Sequence, residues 1–586
     1  MATSLLLSRR DVDFLLYDWL DVEALIKRER YAEHSRETFD AVLDLCAEIA
    51  AERFAPHNKL SDAAEPEFVD GEVRLPAEVK VALDAVAEAG LLGGGMDERV
   101  GGLQLPQVVQ TACFAWFQAA NIGTWSYAML TVGNANLLLA HGSDEQIDTF
   151  VRPMVEGRFH GTMCLSEPQA GSSLADVTCR AEPDPDGAHR LFGTKMWISG
   201  GDHELGENIV HLVLAKIAGS PPGVRGISLF LVPKHLPNGE RNDVVLAGLN
   251  HKMGYRGAVN TVLNLGERTG AVGWLVGAPH QGLAAMFHMM NEARIAVGAG
   301  AVALGYTGYL KSLDYARTRT QGRPPGAKDP AAPPVPLVEH ADVRRMLLAQ
   351  KAFVEGGLGL VLYCGKLLDE ERTAATPEAR AHAHTLLEVL TPIAKSWPSQ
   401  FCLQANDLAI QVHGGYGYTR EYDVEQHYRD NRLNPIHEGT HGIQAVDLLG
   451  RKVVMAGGAG LAALVAVARE TVAAAAGGEA AELAAALDAA LTRLVDVTAA
   501  IHSADVDPAT RLANASVYLE AAGHVVIAWI WLAQFLATDD RDDPFHQGKR
   551  QAARYFYRFE LPQTGPKFDL LARLDPTTVE TDPGCF

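Results

Sequence analysis

The chain has 586 residues, of which 48% are hydrophobic and 21% are charged, a composition that excludes a disordered or fibrous protein. Its formal net charge of −21 argues against nucleic acid as a main partner, because an acidic surface repels phosphate backbones. The seven cysteines have no regular spacing and form no C-x-x-C pair, which argues against a disulfide framework or a metal site and favours a reducing cytoplasm.

The first 150 residues are expected to be helical. Apolar residues recur at three- and four-residue spacing over 41–51 and 77–92, and 108–139 is almost entirely apolar or small. We expect no signal peptide, since the basic pair Arg9 and Arg10 follows a short apolar run instead of preceding a long one. The longest apolar run, 525–532, is too short for a bilayer span of about 20 residues, so we predict a buried helix there.

Between residues 160 and 275 the pattern changes to short β-rich runs broken by Pro, Gly and Asn, with strands predicted over 209–215, 227–232, 244–246 and 261–265. Helices are predicted again over 282–317 and 340–450. The proline-rich loop between them, 322–336, is long enough to predict either a function or an exposed excursion. A β segment between two helical blocks argues against a parallel Rossmann-type sheet.

The composition becomes rich in alanine after a plausible hinge at 455–460. A single helical face there carries four leucines, which we interpret as core and not as a partner-binding zipper. Asp507 followed by Pro508 predicts a helix start, because aspartate is a favoured N-cap and proline a favoured first helical residue. The residues from 453 onward therefore read as a separate helical domain. The four leucines are Leu483, Leu487, Leu491 and Leu494.

Three glycine clusters could approach a phosphate group. Gly298 and Gly300 lie inside a predicted helix and 457–460 follows one; since neither cluster follows a strand, helix packing or a hinge is the preferred interpretation. The run 413–418, His-Gly-Gly-Tyr-Gly-Tyr, permits close approach of the backbone to a ligand. A simple turn between helices explains it equally well.

Three further segments carry polar groups where a site could form. Glu438, beside a glycine and an apolar stretch, is either a cap or solvated residue, or a base whose pKa the apolar neighbours raise. Residues 163–172 combine a hydroxyl, a proline bend and a Gly-Ser pair, which also fits a polar loop. Trp197, shortly before a glycine turn, is either core or the wall of a cofactor site.

Together these segments resemble the signatures of the acyl-CoA dehydrogenase family, over residues from about 40 to 450. Residues 166–172 are similar to T/S-E-P-x-A-G-S, 195–199 to K-x-W-I-T/S, and 411–440 to Q-x-x-G-G-x-G-Y…R-D…I-x-E-G-T. One such match is weak evidence, but three in register are strong. The N-terminal extension and the additional C-terminal region resemble a larger bacterial branch that includes the 3-methylmercaptopropionyl-CoA dehydrogenases.

The resemblance implies an α+β fold, with an N-terminal helical domain, a central β-barrel, a C-terminal four-helix bundle and an additional C-terminal helical domain. Combined with the predicted elements, it divides the chain into five parts. They are an N-terminal extension (1–38), the N-terminal helical domain (39–158), the β-barrel (159–277), the four-helix bundle (278–452) and the additional helical domain (453–586).

The resemblance also implies FAD as the cofactor, and a homodimer or a dimer of dimers. Arg319 matches an arginine that pairs with the FAD pyrophosphate of a neighbouring subunit, a role that suits a planar guanidinium. The phenylalanine that the family usually has before the next glycine is missing, since Gln321 stands there. Trp197 would cover one flavin face, and Ser199 would donate to a polar atom of the flavin. The other implied FAD-binding residues are Met163, Leu165, Ser166, Gly171, Ser172, Ile198, Gln411, Gly414, Gly415 and Thr440.

The implied reaction is the α,β-dehydrogenation of a saturated acyl-CoA to the trans-2-enoyl-CoA. Glu438 would remove the α-proton while the β-hydrogen leaves as hydride to flavin N5, and electrons would pass on to an electron-transferring flavoprotein. The Glu438 backbone N–H and an FAD ribityl hydroxyl would form an oxyanion hole for the thioester carbonyl. Substrate contacts are implied for Ser172, Asn291, Arg294 and Gly439; for Arg294 the alternative is an interhelical salt bridge.

Two points near the base remain open. Glu292 is an alternative base, because some family members carry their base on the helix that holds Arg294; it falls one place off that alignment, so Glu438 is preferred. His437 and His441 stand where the family often has Tyr and Asn, and they either change the pKa of the base or face away from it.

Two rival functions are weighed. An acyl-CoA oxidase on the same fold would pass electrons to oxygen, and nothing in the sequence separates it from a dehydrogenase. A DNA-binding, dehydrogenase-like protein would need a basic C-terminal domain, whereas 451–586 contain 12 Lys and Arg against 17 Asp and Glu. We therefore expect acyl-CoA and an electron-transferring flavoprotein as partners, no nucleic acid, no metal, no membrane span, and a cytoplasmic location.

Overall fold

The computed structural model describes residues 4–326, 329 and 331–586, and of His288 the backbone alone. The first three residues of the N-terminal extension, and positions 327, 328 and 330 of the proline-rich loop, lie outside the described residues. In chain order, the α-helices of the described residues are α1 (Arg9–Asp13), α2 (Arg36–Ile49), α3 (Asn58–Ala63), α4 (Ala77–Glu88), α5 (Gln107–His141), α6 (Asp144–Gln146), α7 (Arg152–Val155), α8 (Gly282–Thr318), α9 (Ala341–Thr373), α10 (Pro377–His413), α11 (Val424–Asn431), α12 (His441–Asp447), α13 (Met455–Ala474), α14 (Gly478–Ser503), α15 (Pro508–Leu512), α16 (Ala515–Ala537), α17 (Pro544–Tyr555), α18 (Thr564–Ala572) and α19 (Thr577–Glu580).

The strands form a small hairpin and a barrel. The hairpin pairs β1 (Glu67–Val69) with β2 (Glu72–Arg74). The barrel strands are β3 (Phe159–Cys164), β4 (Arg180–Pro183), β5 (His189–Ser199), β6 (Asn208–Ile217), β7 (Ile227–Pro233), β8 (Val244–Leu249), β9 (Asn260–Leu265) and β10 (Ala271–Val276).

The barrel closes because β10 pairs with both β7 and β5, which completes the ring β10–β7–β6–β4–β5. β9 and β8 continue outward from β5, and β3 lies parallel to β6. Most pairings are antiparallel, so the predicted exclusion of a parallel Rossmann-type sheet is confirmed. The predicted β-barrel between helical segments is confirmed as well.

The chain divides into two compact units. Unit 2 consists of residues 37–106 and 116–293, so it contains α2–α4, most of α5, α6, α7, the barrel and the beginning of α8. Unit 1 consists of residues 1–36, 107–115 and 294–586, so it contains α1, the first turns of α5, the rest of α8 and α9–α19. The helices after residue 453 thus belong to the same unit as α9 and α10, and α16 and α17 pack against α9.

Hydrophobic periodicity located most helices correctly. The run 525–532 lies in α16 and is buried throughout, and the four leucines of α14 are 0–7% exposed, so both predictions are confirmed. The predicted helix start is also confirmed, since the Asp507 carboxylate accepts from the Ala509 and Thr510 N–H groups. At the predicted hinge, the backbone leaves helical geometry with positive φ at Ala456, Gly457 and Gly458.

The apolar stretch 108–139 is helical, as expected, except for a break at one residue. Asn121 in α5 has non-helical backbone angles (φ −162°, ψ 90°). Its side-chain oxygen accepts from the Thr124 N–H at 3.0 Å, as an N-cap does at the start of a new helix. The break is satisfied by the asparagine itself, which is why the apolar pattern runs through it.

Three stretches are long and apolar enough to cross a membrane by length and composition: Ala341–Thr373, Met455–Ala474 and Pro508–Ala537. The protein buries 83% and 78% of the most apolar window in the first and third, but 28% in the second. The absence of a membrane span therefore stays a prediction.

Candidate active site

In unit 2, the segment after β3 is fixed by a buried ion pair. Lys195 and Glu167 are 0% and 3% exposed, and the Lys195 ammonium donates to Glu167 Oε1 and to the Leu165 carbonyl, both at 2.9 Å. Glu167 also accepts from the backbone N–H groups of Thr178 and Cys179. These positive partners hold the pKa of Glu167 at about 2 although burial alone would raise it. The acidic and basic residues of the two signatures thus serve to hold the loop.

Beside this segment, β5 contains a bulge at Trp197. The register of β5 against β9 shifts between Lys195 and Ile198, and Trp197 has a φ of +63°. A bulge re-aims a side chain that alternation would otherwise place in the sheet. Trp197 is 58% exposed while Ile198 is buried. The interpretation of Trp197 as core is therefore wrong, and its indole is available to a ligand.

Polar atoms lie around this exposed indole. The Met196 N–H donates to the Ser166 carbonyl at 3.0 Å, which ties β5 to the segment after β3. The Ser199 hydroxyl accepts from Asn260 Nδ2 at 3.3 Å, which leaves its own proton able to point to a ligand. Met163, Leu165 and Ser166 are partly buried, and Gly171 and Ser172 are exposed.

The start of α8, also in unit 2, carries two further residues singled out from the sequence. Asn291 is partly buried. Glu292, the alternative base, accepts from Asn136 Nδ2 at 2.9 Å. This hydrogen bond gives the Glu292 carboxylate a structural role that requires no part in catalysis.

In unit 1, Glu438 lies in a tight loop that leads into α12. Glu438 and Gly439 both have positive φ values, +53° and +87°, a conformation that non-glycine residues adopt rarely. The Glu438 carbonyl accepts from Gln444 Nε2 at 3.0 Å. Thr440 is the N-cap of α12, since its hydroxyl accepts from the Ile443 N–H at 3.3 Å. The threonine thus has a structural task whether or not it also touches FAD.

Two cations face the Glu438 carboxylate. Burial raises the pKa of Glu438, and the charges of Arg294 and Lys395 oppose that rise. Arg294 is 5% exposed, and its Nη1 lies 3.7 Å from Asp447 Oδ2. Asp447 is shared with Arg451, at 2.7 Å. Arg294 therefore takes part in a long interhelical ion pair and also faces the carboxylate.

The two histidines beside Glu438 in the sequence are uncharged near neutral pH. Burial lowers the pKa of His437 to about 3, and the charge of Lys395 adds to the effect; its Nε2 lies 3.1 Å from Asn434 Oδ1. Burial also lowers the pKa of His441. Neither imidazole adds positive charge beside Glu438, so the charge there comes from Arg294 and Lys395.

The residues implied for the ADP half of FAD also lie in unit 1. Gln411, Gly414 and Gly415 are exposed, and a Cβ at either glycine would meet no atom within 4 Å. The Arg319 guanidinium is exposed and lies 5.7 Å from the centroid of the Tyr416 ring, which is itself 50% exposed. Open glycine backbone, an exposed guanidinium and an exposed aromatic ring fit a ligand with phosphates and a flat heterocycle.

Unit 2 fits the same cofactor independently, through an exposed indole with hydroxyl and backbone groups beside it. Among the described residues, no group of three or more His, Cys, Asp or Glu is arranged to hold a metal ion.

Sequence reasoning missed Lys395 and Asn434. The Lys395 ammonium donates to the carbonyls of Asn434 and Gly439, both at 2.8 Å. Asn434 continues a buried amide chain, because its Nδ2 donates to Asn431 and Asn431 donates to Asn406. A lysine inside an apolar stretch of predicted helix was the available signal, since a buried ammonium needs partners.

Models of known families match almost the whole chain. The models described as acyl-CoA dehydrogenase N-terminal domain, middle domain and C-terminal domain match residues 36–158, 162–265 and 280–453. A fourth, described as acetyl-CoA dehydrogenase C-terminal like, matches residues 464–582.

Named relatives and a solved structure agree with these matches. A 3-methylmercaptopropionyl-CoA dehydrogenase of Ruegeria pomeroyi is 40% identical over 77% of this chain and 76% of its own. A broad-specificity linear acyl-CoA dehydrogenase of Mycobacterium tuberculosis is 33% identical over 98% of this chain and 99% of its own. The structure of an acyl-CoA dehydrogenase complexed with FAD from Bacillus anthracis is similar in fold, with a TM-score of 0.75 and 19% identity over 97% of this chain and 92% of that one.

Proposed function

We propose that Glu438 is the base that removes the α-proton of an acyl-CoA, because this chain belongs to the acyl-CoA dehydrogenase family of FAD-dependent oxidoreductases. The observation that carries this proposal is the loop of Glu438. A partly buried carboxylate with a raised pKa is a stronger base than a solvated one, and the two cations that face it keep it ionised.

The chain's own groups divide the remaining work. We assign to the Glu438 backbone N–H a hydrogen bond to the thioester carbonyl, where negative charge develops as the α-proton leaves. Trp197, with Ile198 behind it, and the Ser166 and Ser199 groups would hold the flavin, together with Met163, Leu165, Gly171 and Ser172. Arg319, Gln411, Gly414, Gly415 and Thr440 would hold the ADP half. Bound FAD supplies the acceptor for the β-hydride, a chemistry that no side chain provides.

For the substrate we propose unbranched acyl-CoAs of short to medium chain. Two relatives support this: one is named for 3-methylmercaptopropionyl-CoA and one for linear acyl-CoAs. The 3-methylmercaptopropionyl group has the shape of a pentanoyl chain with sulfur in place of a methylene, so a pocket for one can accept the other. Ser172, Asn291, Arg294 and Gly439 are the proposed substrate contacts.

We further propose an electron-transferring flavoprotein as the electron acceptor, a homodimer or dimer of dimers as the assembly, and the cytoplasm as the location. The family supports the first two proposals. In the described part of the chain, which includes all seven cysteines, six of the seven are buried and no disulfide is recorded, which supports a reducing compartment.

The test is anaerobic flavin bleaching of the purified FAD-loaded protein with a panel of acyl-CoAs. The panel runs from butyryl to palmitoyl, with 3-methylmercaptopropionyl-CoA and branched isobutyryl-CoA included. We expect fast bleaching by pentanoyl- and 3-methylmercaptopropionyl-CoA and slow bleaching by isobutyryl-CoA. Bleaching by none of them would contradict the proposed reaction, and stoichiometric peroxide in air would replace the flavoprotein acceptor with oxygen.

A further inference from the structure

Lys395 lies in the middle of α10 with its side chain 0% exposed. Its ammonium donates to two main-chain carbonyls, those of Asn434 and Gly439, each at 2.8 Å. These carbonyls belong to the two ends of the short loop 434–439, and Glu438 lies between them. One buried cation therefore spans the loop that carries the proposed base.

The loop has a conformation that needs such support. Glu438 has a φ of +53°, a region in which an L-residue's Cβ crowds its own backbone. Gln444 Nε2 donates to the Glu438 carbonyl at 3.0 Å, and the His441 N–H donates to the Pro435 carbonyl at 2.9 Å. Both come from α12, whereas Lys395 joins both ends of the loop directly to α10.

Lys395 also contributes charge. The charged groups that face Glu438 are Lys395 from α10 and Arg294 from α8, and Arg294 shares its charge with Asp447 of α12 at 3.7 Å. The neighbouring His437 and His441 are neutral near pH 7, because burial lowers the pKa of each. Burial lowers the pKa of Lys395 to about 7. The ammonium is therefore charged at the acidic pH values at which a carboxyl group titrates.

We propose that Lys395 is a positioning residue for the reaction: it holds the loop 434–439 so that the Glu438 carboxylate and backbone N–H keep their places, and its charge keeps the carboxylate ionised. This inference rests on the proposed function of Glu438. Lys395 itself touches neither the carbonyl of a substrate nor the flavin in this account.

The experiment compares Lys395→Met with Ser399→Ala, both with FAD bound. Ser399 lies one turn further along α10, is equally buried, and donates to the Lys395 backbone carbonyl at 2.6 Å without reaching the loop. The rate of flavin bleaching by pentanoyl-CoA is measured from pH 5 to 7. A nearby positive charge lowers a carboxyl pKa. We therefore expect the acid limb of the pH–rate profile, where the rate falls as the base is protonated, to move up by about one pH unit in Lys395→Met. Ser399→Ala is expected to keep the wild-type limb.

A second readout does not depend on activity. Hydrogen exchange of the peptide that covers 434–441 is expected to be at least about tenfold faster in Lys395→Met than in wild type or Ser399→Ala, because the loop loses the two hydrogen bonds that Lys395 donates to its ends. Lys395→Arg, which keeps the charge and donors, should restore the acid limb.

The possible results separate the two proposals. Wild-type protein that no acyl-CoA bleaches would contradict the proposed function, and hydrogen exchange would still decide whether Lys395 holds the loop. Wild-type bleaching combined with an unmoved acid limb and unchanged loop exchange in Lys395→Met would overturn the inference. If Lys395→Met does not retain FAD, Lys395→Gln takes its place, with the same shift of the limb expected and an unmoved limb again counting against the inference.

Discussion

Arg319 is exposed directly after α8, with its guanidinium 5.7 Å from the Tyr416 ring. Among the described residues no carboxylate forms an ion pair with Arg319, so its charge is available to a phosphate. If it binds the FAD pyrophosphate, Arg319→Ala should weaken FAD retention at least about tenfold, the loss expected for one hydrogen bond to a charged group. FAD content after dialysis, together with the oligomeric state by light scattering, measures the effect.

Arg317 supplies the matched control, because it is also exposed and lies in the last turn of the same helix. Arg317→Ala should retain FAD as wild type does. Equal retention in Arg319→Ala and Arg317→Ala would remove Arg319 from the cofactor site.

The role of some site residues could be predicted from the sequence, and that of others could not. Glu438 could be singled out because its neighbours in the chain, Gly439 and Thr440, mark a loop before a helix. For Lys395 the sequence offers only the signal of a lysine in an apolar stretch, and it does not reveal the partners, which are main-chain carbonyls 39 and 44 positions away. The exposure of Trp197 depends on a register shift between two strands, which alternation within one strand does not show.

At the scale of elements, a buried charge network joins the N-terminal segment to the C-terminal helices of unit 1. Lys549 of α17 pairs with Asp11 of α1 and, at 2.9 Å, with Glu355 of α9. Lys351, whose side chain is 17% exposed, also pairs with Glu355, while the other three side chains are buried. Lys549 additionally donates to Gln534 of α16 at 3.0 Å. Four elements thus depend on one ammonium.

Lys549→Met should therefore destabilise unit 1 strongly, because it leaves two buried carboxylates with too little positive charge. The expected loss is about 3–5 kcal/mol, measured by urea unfolding, and proteolysis should release the N-terminal segment first. Arg493→Met is the control: its pair with Asp569 is 2.7 Å long but exposed, and such pairs contribute about 1 kcal/mol or less. A Lys549→Met protein as stable as Arg493→Met would show that the network does not hold these elements together.

The elements themselves could be predicted where apolar periodicity is regular, as in α14 and α16. The break at Asn121 could not, because the asparagine satisfies the broken backbone without changing the apolar pattern. The network around Lys549 was also out of reach, since its members are distant in sequence and each charge alone is typical of a solvated surface.

For the molecule as a whole, we expect the loss of folding stability at acidic pH to come from buried histidines of the barrel. Burial lowers the pKa of His160 and of His211 to about 4, and lowers that of His203 well below its ordinary value, with the neighbouring Lys234 adding to each of the last two. The unfolded chain binds these protons near pH 6.5 and the folded barrel does not. Stability is therefore fully present above about pH 6.5 and falls as the pH decreases toward 4, by up to about 4 kcal/mol per pH unit for three groups.

The thermal midpoint of unfolding, followed from pH 7 to 4.5, measures this fall. His211→Gln should make the fall shallower by about a third, since one of three protons no longer contributes. His251→Asn should leave it unchanged, because His251 lies on the surface with its side chain 74% exposed. Identical slopes for both variants would assign the acid sensitivity to other groups.

The central claim is that Glu438 is the base, and stopped-flow bleaching of the flavin by pentanoyl-CoA under anaerobic conditions tests it most directly. Glu438→Gln keeps the shape and the backbone N–H but lacks basicity, so it should retain FAD and bind acyl-CoA while bleaching at least about 10²–10⁴-fold more slowly than wild type. Glu292→Gln, whose carboxylate is engaged by Asn136 at 2.9 Å, should bleach at close to the wild-type rate. Normal bleaching in Glu438→Gln together with its loss in Glu292→Gln would contradict the account and move the base to α8.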